Sequence, residues 1–93
     1  MNRIRRSPLV IWDVVDGQTV LCHTDSAEFF QLSPTGAFVW SACDDGTIET
    51  IVEFLQAIYP NEDRERLETD VQSFVLFLEK AGLVEVRNDS TEP

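Results

Sequence analysis

Positive charge is scarce in this sequence: seven Lys and Arg stand against seventeen Asp and Glu, a formal net charge of −10 over 93 residues. A protein that grips a phosphate backbone carries the opposite balance, so nucleic acid is not expected as a partner. A basic or mixed-charge peptide, or a basic patch on another protein, suits this field better. Histidine is also scarce, with His23 alone. No Gly-rich phosphate loop, nucleophile motif or spaced ligand cluster accompanies it. His23 follows Cys22 directly, and on a strand adjacent side chains point to opposite faces, so the two do not converge on one metal. No catalytic residue, metal or cofactor is therefore expected. The two cysteines, Cys22 and Cys43, are too few for the framework of a small secreted domain. They read as reduced, packed thiols in a cytoplasmic protein, with a Cys22–Cys43 disulfide or a metal site as the lesser alternatives. Long apolar runs are missing too. Leu9-Val10-Ile11-Trp12 is cut short by Asp13 and leads to no small-residue cleavage site, and nothing approaches the length of a membrane span.

What is present is enough for one domain and too short for two. Apolar residues make up 43% of the chain, and six Phe and two Trp supply much of a modest core. Residues 1–7 read as a flexible N-terminus. Leu9 to Val15 is rich in β-branched and aromatic residues and stops at Asp16-Gly17, a pair suited to a type I′ hairpin turn. Gln18 to His23 returns as a second strand, and Glu28-Phe29-Phe30-Gln31-Leu32 reads as a third. Alternation puts Phe30 and Leu32 on one face of that strand, with Phe29 and Gln31 on the other.

Ser33-Pro34 then supplies an N-cap and a first helical residue for a helix to about Cys43. Thr47 caps a second helix with its stripe on Ile48, Ile51, Val52, Leu55 and Tyr59, and Pro60 ends it. Asn61 can cap a third, reaching to about Ala81. Leu67, Val71, Phe74, Leu78 and Ala81 form its core stripe. Val75 and Phe77 on the two shoulders widen the apolar arc to about 160°, more than one packed neighbour requires. Gly82 stops it. Leu83 to Val86 is a short extended piece, and residues 87–93 read as a disordered tail. The predicted fold class is α+β: a three-stranded antiparallel meander followed by three helices.

The carboxylates suggest no acid–base pair. Asp44 and Asp45 lie in a turn, and Glu62, Asp63, Glu65 and Glu68 suit the start of a helix. Asp70 stands out because it lies about 60° from the centre of the apolar stripe, close to Phe74 and Phe77. There it can be a plain surface residue or receive a cation or backbone N–H from a docked peptide.

The order of these signals resembles the PqqD family, the precursor-peptide recognition elements of pathways that modify ribosomally made peptides. The resemblance rests on Phe29-Phe30, Leu32, Thr35-Gly36, Trp40, Asp45-Gly46-Thr47, Asp70-Val71 and Gly82-Leu83-Val84, and spans about residues 8–86. It implies a winged helix-turn-helix-like fold that binds the leader segment of a precursor peptide as an added strand. Carried onto this chain, Glu28, Phe29, Phe30, Gln31 and Leu32 would receive the leader, and Leu67, Asp70, Val71, Phe74 and Val75 would form the helix wall. Phe30, Leu32, Val71 and Phe74 equally suit plain core packing. Stand-alone members of the family deliver the peptide to a separate modifying enzyme or leader peptidase. Lasso-peptide maturation is favoured slightly over pyrroloquinoline quinone assembly with a radical SAM enzyme, on the overall likeness and on no diagnostic residue; the acidic tail and the Glu85-Val86 extension depart from the quinone-pathway members. The residues alone support a similar mechanism: the last strand of a meander can leave an open edge, a template for strand addition. Two rivals remain, a winged-helix DNA-binding regulator and a structural subunit that folds permanently onto an enzyme.

Overall fold

The computed structural model describes residues 2–88. It contains β1 (Asn2–Arg6), β2 (Val10–Val15), β3 (Gln18–His23), β4 (Glu28–Gln31), α1 (Pro34–Cys43), α2 (Ile48–Ile58), α3 (Arg64–Lys80) and β5 (Val84–Asn88). The expected meander is β2-β3-β4, antiparallel throughout, and the three expected helices follow it. Its first turn is type I′, with Asp16 at φ 53° and Gly17 at φ 79°, the conformation that continues the twist of the flanking strands. The Ser33 hydroxyl accepts the Gly36 N–H at 3.1 Å at the start of α1, with Pro34 in the first turn. Thr47 and Thr50 cap α2 reciprocally. The third helix begins later than Asn61 suggested: Asp63 is its cap and accepts from the Glu65 N–H.

The chain ends differ from expectation more deeply. Residues 2–6, expected to be flexible, form β1 and pair in antiparallel register with β5, Ile4 opposite Val86 and Arg5 opposite Glu85. Three observations explain why so basic a segment orders. Ile4 is only 1% exposed and belongs to the core. The Arg6 guanidinium lies over both Trp12 and Trp40, at 4.7 and 5.1 Å from the ring centroids, and donates to the Trp40 carbonyl. Arg3 makes an ion pair with Asp45 at 3.5 Å. The ordered unit therefore runs past the expected 8–86 at both ends, and Arg87 and Asn88 belong to β5. The remainder of the expected tail, residues 89–93, and Met1 lie outside the described residues.

The core gathers Leu21 and Leu32 from the sheet side, Trp40 and Cys43 from α1, Ile51, Val52 and Leu55 from α2, and Leu67, Val71, Val75 and Leu78 from α3. Burial pushes the Cys43 thiol above its ordinary value near 9, and the neighbouring Arg6 cation offsets part of that rise. Cys22 is free and partly exposed on the sheet. Among the described residues, no helix is long and apolar enough to cross a membrane.

Candidate functional site

β4 is an edge of its sheet, and its pairing with β3 decides what that edge offers. The Leu32 N–H donates to the Thr19 carbonyl at 2.9 Å, which makes Thr19–Leu32 a hydrogen-bonded pair. In an antiparallel ladder such pairs alternate, so Phe30 opposite Leu21 and Glu28 opposite His23 also turn their backbone groups toward β3. Phe29 and Gln31 then direct their N–H and C=O groups to the open side. An incoming extended peptide meets up to four correctly spaced backbone partners there, each worth about 0.5–1.5 kcal/mol net.

Beside that edge runs an apolar groove whose other wall is α3. Phe30 faces inward and meets Phe77 edge to face, with ring centroids 6.0 Å apart, and Phe77 lies against Phe74 at 5.8 Å. Toward the start of α1 the groove deepens into a cavity of about 290 Å³ lined by Ser33, Gly36, Leu67, Asp70, Val71 and Phe74, among others. Gly36 is what allows α1 so near this wall: a Cβ there would stand 3.0 Å from Phe74 Cζ. A second, more polar cavity of about 260 Å³ adjoins it, sharing Thr35, Leu67 and Asp70 and adding Tyr59, Glu62 and Arg66. The site thus offers backbone pairing, one deep apolar socket and a charged mouth. These are means of binding a chain.

The expected site residues fall into three groups. Glu28, Phe29 and Gln31 are exposed on β4, with Phe29 at 72%, while Phe30 and Phe74 are half-buried at the groove. Ser26 donates to a Glu28 carboxylate oxygen at 3.3 Å, and the Gln31 amide donates to Gln18 across the sheet. Leu32, Leu67 and Val71 are almost fully buried, so they form the floor and serve the core at the same time. Asp70 sits exposed at the rim between the two cavities. Val75 is not brought to the groove. It is buried on the opposite flank of α3 beside Ile4, Ile48 and Val86. Its place in the wall belongs to Phe77, which remains 44% exposed. Helical geometry accounts for the correction: at about 100° per residue, Asp70 and Phe77 lie about 20° apart around α3, whereas Asp70 and Val75 lie about 140° apart. Ser33 and Gly36 also join the site, signalled in the sequence only by the Ser-Pro-Thr-Gly turn that opens α1.

Comparison with models of protein families matches residues 18–84 to the family described as coenzyme PQQ synthesis protein D (PqqD). Two solved structures share the fold. One, described as TbiB1 in complex with the TbiA(beta) leader peptide, is 29% identical with a TM-score of 0.80, covering 87% of this chain and 94% of its own. The other, described as lasso peptide synthetase B1 complexed with the leader peptide, is 25% identical with a TM-score of 0.80, covering 89% and 98% respectively. A search of the curated proteins finds no match.

Proposed function

Since this chain belongs to the PqqD family, we propose that it is a non-catalytic, cytoplasmic recognition domain for the leader segment of a ribosomally made precursor peptide. The leader adds as a strand to β4, places alternate side chains in the groove beside α3, and is delivered with its attached core peptide to a separate modifying enzyme or leader peptidase. The observation that carries this reading is the open β4 edge, with Phe29 and Gln31 presenting unpaired backbone groups beside an apolar groove. Both similar structures are described with a leader peptide bound, and that supports the same assignment. The receiving strand is Glu28, Phe29, Phe30, Gln31 and Leu32. The wall and floor are Leu67, Asp70, Val71, Phe74 and Phe77. A few strand hydrogen bonds plus two or three apolar anchors suffice for a Kd of about 1 μM or somewhat below, roughly −8 to −10 kcal/mol.

Lasso-peptide maturation is the favoured pathway, because the two similar structures are described in those terms or as leader complexes. The family's description keeps quinone-cofactor assembly, with a radical SAM enzyme as partner, as the second reading. The test is a titration of the domain with the leader peptide encoded beside its gene, followed through backbone amide shifts. Shifts should cluster on residues 28–32 and along the Asp70–Phe77 flank of α3. A response confined elsewhere overturns the groove, and no response overturns the function.

A further inference from the structure

The β2-β3-β4 sheet has two edges, and backbone pairing by itself does not choose between them. β2 is Val10-Ile11-Trp12-Asp13-Val14-Val15, a single aspartate among β-branched and aromatic residues that favour strands. By composition and length it is a better template for an added strand than β4. The Thr24 N–H donates to the Leu9 carbonyl at 2.8 Å, which makes Leu9–Thr24 a hydrogen-bonded pair. Alternation then turns the backbone groups of Val10, Trp12 and Val14 to the open side of β2.

Two of the three N–H groups on that side are already answered within the chain. Val10 donates to the Ser7 carbonyl at 3.2 Å, and Ser7 is itself fixed by its own N–H to the Leu83 carbonyl at 3.0 Å. Val14 donates to the Asp13 carboxylate at 2.8 Å. Side chains find no socket there either. The Arg6 guanidinium covers the Trp12 ring at 4.7 Å, and that ring packs edge to face on Trp40 at 5.4 Å. β4 differs on both counts, since Phe29 and Gln31 keep their backbone groups open beside a groove. We infer that Asp13, together with Ser7, closes the β2 edge and so confines strand addition to β4, one leader per domain. Asp13 is then a specificity-determining residue that never touches the leader. The inference rests on the leader-binding reading above and adds to it the reason one edge is used and the other is not.

The carboxylate acts twice. It occupies the Val14 N–H that an incoming carbonyl would need, and its charge repels the partial negative charge of that carbonyl. A hydrogen bond to a carboxylate is stronger than one to a peptide carbonyl, so an added strand gains nothing by exchanging the two. Ser7 holds Val10 through backbone, which no side-chain substitution removes. Asp13 is the part of the closure that can be taken away. Without it, β2 presents an uninterrupted run of β-branched and aromatic residues at an open edge, a ready template for pairing with another chain.

The test uses the full chain and its neighbouring leader peptide, followed by calorimetry and by amide exchange. Asp13→Val removes the acceptor and the charge and keeps a strand-forming side chain. Asp13→Ala does the same without the apolar branch, in case the valine variant aggregates, and Asp13→Asn keeps an acceptor oxygen. The wild type and Asp13→Asn should bind one leader. Asp13→Val and Asp13→Ala should hold the first Kd within about twofold and gain a second leader at least about thirtyfold weaker, because that edge has no socket. The Trp12 and Val14 amides should become protected as the second leader binds. Self-association that protects those two amides in place of a second leader also shows an opened edge and supports the inference. A single leader in both carboxylate-free variants, with both amides unprotected at about 1 mM leader, overturns it. A second leader on the wild type or on Asp13→Asn overturns it too. A wild-type domain that binds no leader sinks the underlying reading instead, and the wild-type titration shows that separately.

Discussion

Truncating Phe77 and truncating Val75 should have opposite consequences, although the two residues are neighbours on α3 and both are large and apolar. Phe77 is 44% exposed on the groove flank, and Val75 is 5% exposed on the other. A Phe side chain presents about 200 Å² to cover, so roughly 90 Å² of Phe77 remains for a ligand. At about 25 cal/mol per Å², a leader that buries most of it gains about 2 kcal/mol, which corresponds to about a thirtyfold change in Kd. Phe77→Ala should therefore weaken leader binding about tenfold to thirtyfold. It should also lower stability, because the ring loses its contacts with Phe30 and Phe74. Val75→Ala opens a small cavity among Ile4, Ile48 and Val86 and should destabilise the domain by about 1–3 kcal/mol while leaving Kd within about twofold. Calorimetric titration well below each variant's Tm, with Tm measured in parallel, separates the two effects. A Val75→Ala protein that loses affinity while Phe77→Ala keeps it would refute the placement of the groove on the Asp70–Phe77 flank.

Ile4→Ala should destabilise the domain by about 2–5 kcal/mol, lowering Tm by at least about 10 °C in a thermal melt, because β1 supplies a core side chain; a neutral result would return the N-terminus to a peripheral role. Gly36→Ala should weaken leader binding about fivefold with little change in Tm: its Cβ displaces the Phe74 ring from 3.0 Å while the helix gains a better former. In alkylation followed by mass spectrometry, Cys22 should label in the folded protein and Cys43 only after unfolding. The raised thiol value of Cys43 means that its contribution to stability is complete below about pH 9 and fades as pH rises through the folded value. Between about 50 and 200 mM salt, leader affinity should stay within about threefold, where a binder of the phosphate backbone loses about 1,000-fold or more.

Local chemistry was the legible part of this chain. The Asp16-Gly17 turn, the Ser33 and Thr47 caps and the stop at Pro60 are decided within a few residues, and the structure has each where the sequence placed it. The β1–β5 ribbon was not legible, because its pairing joins residues some eighty positions apart and its first strand carries three arginines. Arginine beside a terminus reads as solvated. Here Arg6 is held between two indoles, whose faces accept a cation and whose positions depend on the rest of the fold. The proposed site reads in the sequence as a strand edge and a helix; of its helix residues, Leu67, Asp70, Val71 and Phe74 line one cavity and Val75 lies elsewhere. The wide apolar arc of α3 looked like one binding wall, but it serves two neighbours. One flank packs on the β1–β5 side through Val75, and the other forms the groove through Phe74 and Phe77. Once the ribbon was missed, nothing remained in the sequence to occupy the Val75 flank, and the wall inherited it.

The same missed ribbon bears on why this arrangement of strands and helices suits a peptide better than a nucleic acid. Four of the seven basic residues, Arg3, Arg5, Arg6 and Arg87, lie on β1 and β5, where they answer internal charges and rings. Arg3 and Arg87 pair with Asp45 and Glu85, Arg5 stands opposite Glu85, and Arg6 covers the tryptophans. On α3, Arg64 pairs with Glu68 at 3.5 Å, and Arg66 shares its cavity with Glu62 and Asp70. A duplex must find cations in excess of the carboxylates around them, and these stand beside carboxylates or rings of the same chain. A peptide backbone requires unpaired amides and carbonyls at strand spacing, with a place for alternate side chains. Phe29 and Gln31 present those groups, and the groove beneath Phe30 and Phe77 supplies that place. The acidic surface therefore leaves peptide recognition intact while removing the competing use of the fold.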